Sequence, residues 1–86
     1  MSRDLHPTAG ARYLLELVAA TDAGATYRCA IFTRDAEFAC EAALGAEAVV
    51  SPSGAPAELH ARLESIAKLI ARDAPPWPAR ILRWRK

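Results

Sequence analysis

The sequence predicts an α+β fold in which an antiparallel β-meander of three to four strands packs one face against a C-terminal amphipathic helix. Three observations support this: apolar residues alternate in the first half, turn residues separate the alternating runs, and a helical apolar stripe follows. With 86 residues, 52% of them apolar, the chain suits one small domain. We divide it into a flexible N-terminus (1–11), the α+β domain (12–73) and a C-terminal segment packed on that domain (74–86).

The first two strands are expected at about 12–20 and 25–33, because apolar residues recur there at every second position. A three-residue turn at Asp22-Ala23-Gly24 would join them, since Gly can take a left-handed conformation. This turn places Leu15 opposite Ile31 on one face of the hairpin. It places Leu14 opposite Phe32 on the other face.

The third strand is expected at about 36–43, although the alanines there also suit a short helix. Pairing this run with the second strand places Cys29 opposite Cys40 and Arg28 opposite Glu41. The apolar residues then stay on the face they occupy in the first hairpin, and the charged pair has opposite signs. A helix would leave these coincidences unexplained, so the strand is favoured.

A short fourth strand is expected at about 47–51, and the helix follows at about 56–73. Pro56 suits a first helical turn, and Pro75-Pro76 end the helix. The apolar residues recur at spacings of four, three and four, which is typical of a helix with one buried side. These residues are Leu59, Leu63, Ile66 and Ile70.

Composition excludes several classes of protein. No apolar run approaches the roughly 20 residues of a membrane helix, so we expect no membrane partner. The first twelve residues lack the apolar stretch of a signal peptide, which predicts a cytoplasmic location. The abundance of Ala, and of Arg over Lys, is typical of a GC-rich genome and predicts a bacterial origin.

The net charge of +1 is unevenly distributed. Residues 1–50 carry four basic and seven acidic side chains, whereas residues 74–86 carry four basic side chains and no acidic one. Two Trp lie among these basic residues, which makes the segment a candidate binding site. Its members are Trp77, Arg80, Arg83, Trp84, Arg85 and Lys86.

This C-terminal segment allows two structures and two functions. As a helix it would bring Trp77, Ile81 and Trp84 to one side, whereas an extended strand would place Leu82 with Trp84 and Ile81 with the arginines. Arginines that bind phosphates and Trp that stack on bases would make it a nucleic-acid-binding tail. A small domain can hardly spare two Trp from its core, however, which favours a structural role with the arginines as a solvated rim.

A second candidate binding surface consists of Leu14, Val18 and Phe32, which share the face turned away from the helix. An apolar patch of this kind usually has a partner. Either the C-terminal segment or a second subunit would cover it, and the second case makes the protein a homodimer.

Catalytic and metal-binding chemistry find little support in the sequence. Cys29 and Cys40 could act as a redox switch if they lie in disulfide range, but both are expected on the apolar side, where a thiol is inert. His60 and Glu64 lie one helical turn apart without further ligands in reach. We therefore assign no catalytic residue, metal or cofactor.

We recognise no characterised family, and the sequence-based hypothesis is a small non-catalytic protein-interaction module. Its partner is another protein or a second copy of itself. The alternative is a nucleic-acid accessory protein that binds phosphates through the basic C-terminal segment.

Overall fold

A computed structural model describes residues 9–74 and 76–85, and it confirms the α+β class. Five antiparallel strands form one open sheet in the order β4-β3-β2-β1-β5, with one helix on one face. Most of the predicted flexible N-terminus, residues 1–8, lies outside the described residues, and Ala11 already belongs to β1. The elements are β1 (Ala11–Thr21), β2 (Gly24–Phe32), β3 (Glu37–Leu44), β4 (Ala48–Val50), α1 (Ala57–Asp73) and β5 (Arg80–Arg85).

The first hairpin has a register two residues away from the predicted one. Leu15 pairs with Cys29 instead of Ile31, and Leu14 pairs with Ala30 instead of Phe32. The turn is tighter than expected, because Thr21 already pairs with Gly24. A shift of two residues keeps each side chain on its face, so the predicted division of the strands into two faces holds.

Gly24 is required at this turn for two reasons. Its φ of 154° is unusual for residues that carry a side chain. A Cβ atom built on it would also collide with the carbonyl oxygen of Leu44, at the end of the neighbouring strand β3. The turn, together with a bulge at Val18, therefore fixes the register of β1 on β2.

The second hairpin has the predicted register, and the 36–43 run is a strand. Cys29 lies opposite Cys40, and Arg28 lies opposite Glu41. Thr33 closes the turn, where its backbone N–H donates to the carbonyl of Ala36 at 2.9 Å.

The core lies between α1 and the face of the sheet that we call the inner face. α1 contributes fully buried Leu63 and Ala67, and the sheet contributes Tyr13, Leu15 and Tyr27, each with no exposed surface. The helix approaches β4 and β3 most closely. The inner side of β5, at the opposite edge, is therefore left beside a groove.

The C-terminal segment is not a tail: from Arg80 onward it is strand β5, which pairs antiparallel with β1. The sheet thus has five strands, whereas three to four were predicted. Of the two structures that the sequence allowed, the extended one is correct. Alternate side chains of β5 point to the two faces of the sheet. The inner face has Ile81, Arg83 and Arg85, since they pair with the inner-face residues of β1. The opposite face, which we call the outer face, has Arg80, Leu82 and Trp84.

Candidate functional site

Strand β5 has one unpaired edge. The Leu17 N–H donates to the Ala79 carbonyl at 2.9 Å, so these two residues form a hydrogen-bonded pair between β1 and β5. In an antiparallel pair of strands, every second residue pair is hydrogen-bonded. It follows that Ile81 and Arg83 exchange hydrogen bonds with β1, while the N–H and C=O groups of Leu82 and Trp84 point away from the sheet. β5 therefore presents backbone donors and acceptors that could pair with another strand.

Two arginines lie along this edge. The Arg83 guanidinium donates to the Leu82 carbonyl at 3.2 Å, and the Arg85 guanidinium donates to the Trp84 carbonyl at 3.1 Å. The two side chains thus partly satisfy the open edge and place two positive charges beside it. Charged side chains of this kind are a common way of protecting an edge strand from unspecific pairing.

A groove runs between β5 and α1. Ile66, Ile70 and Leu69 of the helix and Ile81 of the strand supply its apolar side chains, and Leu69 is 46% exposed. Arg83 and Arg85 line it from the strand. From the helix, Arg72 and Asp73 line it as an ion pair with 3.5 Å between Nε and Oδ1. The groove is apolar with a net positive rim, a combination that favours an anionic, partly apolar ligand.

The start of β5 is fixed by aromatic residues. Trp77 is half-buried against the core, and its ring centroid lies 6.4 Å from that of Tyr27. The Tyr27 hydroxyl donates to the Pro78 carbonyl at 2.6 Å. Burial raises the pKa of the Tyr27 hydroxyl, so it stays a donor at neutral pH. These contacts hold the chain in position just before the edge strand begins.

The two Trp of the C-terminal segment therefore differ in their surroundings. Trp77 packs on the core, as the structural interpretation expects, whereas Trp84 is 46% exposed and donates from Nε1 to the Ala9 carbonyl at 3.0 Å. The arginines separate too: Arg80 lies on the outer face with Trp84, and Arg83 and Arg85 lie on the inner face. Lys86 lies outside the described residues.

The predicted apolar patch is divided in the same way. Leu14 and Phe32 are each 8% exposed on the outer face, while Val18 stands in the bulge of β1 and is 56% exposed. β5 extends this face sideways and does not fold over it. Among residues 9–74 and 76–85, no helix or strand lies across the outer face.

The cysteines face each other on the inner side and are free thiols. Burial raises the pKa of the Cys29 thiol to about 12, and the neighbouring Cys40 adds to this effect. Burial also raises the pKa of Cys40. Both groups are therefore protonated at neutral pH, which makes them poor nucleophiles.

His60 lies beside the loop that precedes α1. Its Nδ1 is 3.2 Å from the Ser53 hydroxyl oxygen, which also accepts a hydrogen bond from the Ala55 N–H at 3.2 Å. Glu64 lines the same open hollow. The Ser53–His60 contact thus orders the turn before the helix. In the described part of the chain, no group of three or more His, Cys, Asp or Glu could hold a metal ion.

Sequence reasoning found the arginines of β5 but missed the helical side of the groove. Leu69 and Arg72 lie beside the apolar stripe on α1 and not within it. The signal in the sequence was Leu69, a large apolar residue that lies next to the apolar stripe of the helix but is not needed to complete it. It could be interpreted only once β5 was known to run alongside.

The structure bears on the prediction of no membrane partner only through its helices. Within the described ranges, no helix is both long enough and apolar enough to cross a membrane.

Comparisons with family models, with curated proteins and with solved structures found no match to this chain. Its function has to be inferred from the unpaired edge of β5 and the arginine-rimmed groove beside it.

Proposed function

We propose that this protein is a non-catalytic protein-interaction module that binds an extended acidic segment of a partner along β5. The observation that carries the proposal is the unpaired edge of β5 next to an apolar groove with an arginine rim. An added strand would receive its hydrogen bonds from the backbone and its specificity from the groove. A bacterial origin and a cytoplasmic location remain predictions from composition.

The chemistry of the groove defines the partner. A strand paired with β5 projects alternate side chains toward α1, where Leu69 and Ile70 offer apolar contacts. Acidic side chains of the same strand would meet Arg83 and Arg85, whose guanidinium groups bind carboxylates in a bidentate manner. Binding requires these arginines to leave the carbonyls of Leu82 and Trp84, which frees the edge for pairing.

The direct test uses a fluorescently labelled ten-residue peptide in which Val and Glu alternate along one face of the strand, with Thr at every second position (Val-Thr-Glu-Thr, repeated). It is compared with the same peptide carrying Lys in place of Glu. The Glu peptide should bind at least about tenfold more tightly, because the rim is positive. Replacing both Arg83 and Arg85 by Glu should remove that preference. The double variant Arg34→Glu/Lys68→Glu is the matched control, since it changes the net charge by the same amount at exposed positions that do not line the groove.

Leu82→Pro separates strand addition from simple charge attraction. Its N–H points to the open edge, so proline removes no bond to β1 but blocks pairing with a new strand. Loss of peptide binding in a folded Leu82→Pro variant is the expected result. Equal binding of both peptides, or no binding of the Glu peptide to the wild-type protein, would contradict the proposal.

The alternative is a nucleic-acid accessory protein, and it is favoured by the exposed Trp84, which lies on the outer face of the same strand as Arg80. Stacking on Trp84 would add to phosphate binding by Arg80. Glu16 lies directly opposite Arg80 and works against an anionic ligand there. Binding of single-stranded DNA or RNA at about 50 mM salt, weakened by salt and by Arg80→Glu, would support this alternative; no binding would remove it.

A further inference from the structure

The outer face carries a row of alternating charge across four strands. Glu16 of β1 lies opposite Arg80 of β5 on one side and Arg28 of β2 on the other, and Arg28 lies opposite Glu41 of β3. All four side chains are exposed. None of them forms an ion pair within 4 Å in the described part of the chain. We call this set the charged row.

The next row on the same face is apolar and graded in size. Leu82 of β5 lies opposite Leu14 of β1, which lies opposite Ala30 of β2, and Ala30 lies opposite Ala39 of β3. Two large side chains thus stand on one half of the face and two small ones on the other. We call this set the apolar row.

We propose that the outer face binds the outer face of a second copy of this chain. The two-fold axis would run parallel to the strands, between the two sheets and over the line that separates β1 from β2. Rotation about this axis exchanges β1 with β2 and β5 with β3. In the charged row, Glu16 then faces Arg28 of the second copy, and Arg80 faces Glu41 of the second copy, so that every contact joins opposite charges.

The same rotation matches the apolar row. Leu14 faces Ala30 of the second copy, and Leu82 faces Ala39 of the second copy. Each leucine meets a position where an alanine leaves room, which suits the separation of about 10 Å between packed sheets. One axis therefore satisfies both rows, and each contact occurs twice because the interface is self-complementary.

This self-match is what identifies the partner as a second copy. Two neighbouring rows of the face are antisymmetric about the same line, the charged row in charge and the apolar row in side-chain size, and binding to an unrelated protein gives no reason for this. The inference goes beyond the proposed function, because the charged row lies on the face opposite the groove between β5 and α1. The dimer leaves that groove open.

The size of the face sets the expected strength. The axis brings four strands of each copy together, β5, β1, β2 and β3, and leaves β4 outside the overlap. Four strands about 4.8 Å apart and about six residues of about 3.3 Å rise give a footprint of roughly 19 by 20 Å on each copy. The two copies together bury about 800 Å², less than the standard size of a specific interface, so the dimer should be weak. The dimer should therefore be reversible. Because packed sheets are rotated by about 30°, the match is best near the axis, at Glu16 and Arg28.

The test is sedimentation equilibrium of the full-length protein over a wide concentration range. Wild-type protein should show a reversible monomer–dimer equilibrium. Arg28→Glu and Glu16→Arg should each weaken it at least about tenfold, because like charges then face each other across the axis. Mixed together, the two variants should form a one-to-one heterodimer, since each then presents the charge that the other lacks. Native mass spectrometry with one variant isotopically labelled identifies that species.

Two matched controls exclude an effect of net charge. Lys68→Glu and Glu58→Arg change the charge by the same amounts at exposed positions of α1, on the other side of the sheet, and both should dimerise like the wild type. Circular dichroism verifies that every variant is folded, and mixing cannot repair a misfolded chain. A folded wild-type protein that stays monomeric would overturn the inference, as would variants whose mixture does not pair. Val–Glu peptide binding, measured on the same variants, should remain unchanged and reports on the proposed function separately.

Discussion

The two faces of the sheet share one backbone but place very different demands on their side chains. On the inner face, Tyr13 and Tyr27 are fully buried under α1. On the outer face, Glu16 and Arg28 alternate in the open, and Val18 is 56% exposed. The inner face therefore contributes most of the stability, whereas the exposed positions of the outer face, such as Glu16 and Arg28, are free to serve binding. This difference can be tested by comparing the free energy of unfolding of matched variants.

The largest effect is expected from Leu63→Ala, because Leu63 has no exposed surface and lies at the centre of the core. Removing its isobutyl group leaves a cavity and should lower the free energy of unfolding by about 3 kcal/mol, within the usual range of 2–5. Urea unfolding followed by circular dichroism measures it. A loss below about 1 kcal/mol would show that the inner face is not the core.

A pH dependence of stability should follow from Cys29. Its pKa rises from 9.0 to about 12 on folding, because burial disfavours the thiolate. The stabilisation is complete below pH 9 and is lost as the pH rises toward 12, since the unfolded chain releases this proton first. Urea unfolding between about pH 7.5 and 10.5 should show a decline of the order of 1–2 kcal/mol.

Cys29→Ala is the control for this prediction. The variant should be less stable at pH 7.5 but should show a smaller decline as the pH rises. An unchanged decline would assign the effect to other groups.

A smaller effect is expected from Tyr27→Phe. The change removes the hydrogen bond from the Tyr27 hydroxyl to the Pro78 carbonyl and leaves the aromatic contact with Trp77 in place. It should cost about 1 kcal/mol. Because Pro78 lies just before β5, the substitution should also speed up amide hydrogen exchange at Ile81 and Arg83 more than at residues of β2. An equal change of the exchange rates in β5 and β2 would show that this hydrogen bond does not hold the edge strand.

The smallest effect is expected from Val49→Ala on β4. Val49 points to the outer face and is 58% exposed, so the truncation removes little buried surface. The free energy of unfolding should change by no more than about 0.5 kcal/mol. A loss comparable to that of Leu63→Ala would mean that Val49 itself is covered in the folded protein.

How far the sequence predicts the sheet depends on how local the determining contacts are. The register of β3 on β2 follows from one short turn and is confirmed by the pairs of Cys29 with Cys40 and Arg28 with Glu41. The register predicted for β1 on β2 was wrong by two residues. The tight turn is supported by a bond from the Ala23 N–H to the Thr21 hydroxyl, and Val18 adds a bulge; no alternation of residues reveals either feature.

The candidate site was predictable in composition but not in arrangement. The cluster of Arg and Trp pointed to the C-terminal segment, yet helical and extended models were both compatible with its apolar spacing. The choice is made by pairing with β1, about seventy residues earlier in the chain. That long-range contact also sends Arg83 and Arg85 to one face and Arg80 to the other, so charge counting alone overestimated how closely the basic groups cluster.

The pairing of β1 with β5 has a consequence for how the protein is made. Chains are synthesised from the N-terminus, so β1 and β2 emerge long before their sheet is complete. Until Ile81 and its neighbours have left the ribosome, β1 is an unpaired edge strand that contains the apolar residues Leu14 and Leu15. Translation that stops before β5 would release a chain with a long apolar edge, the kind of edge that promotes aggregation. β5 thus covers the edge of β1 within the same chain.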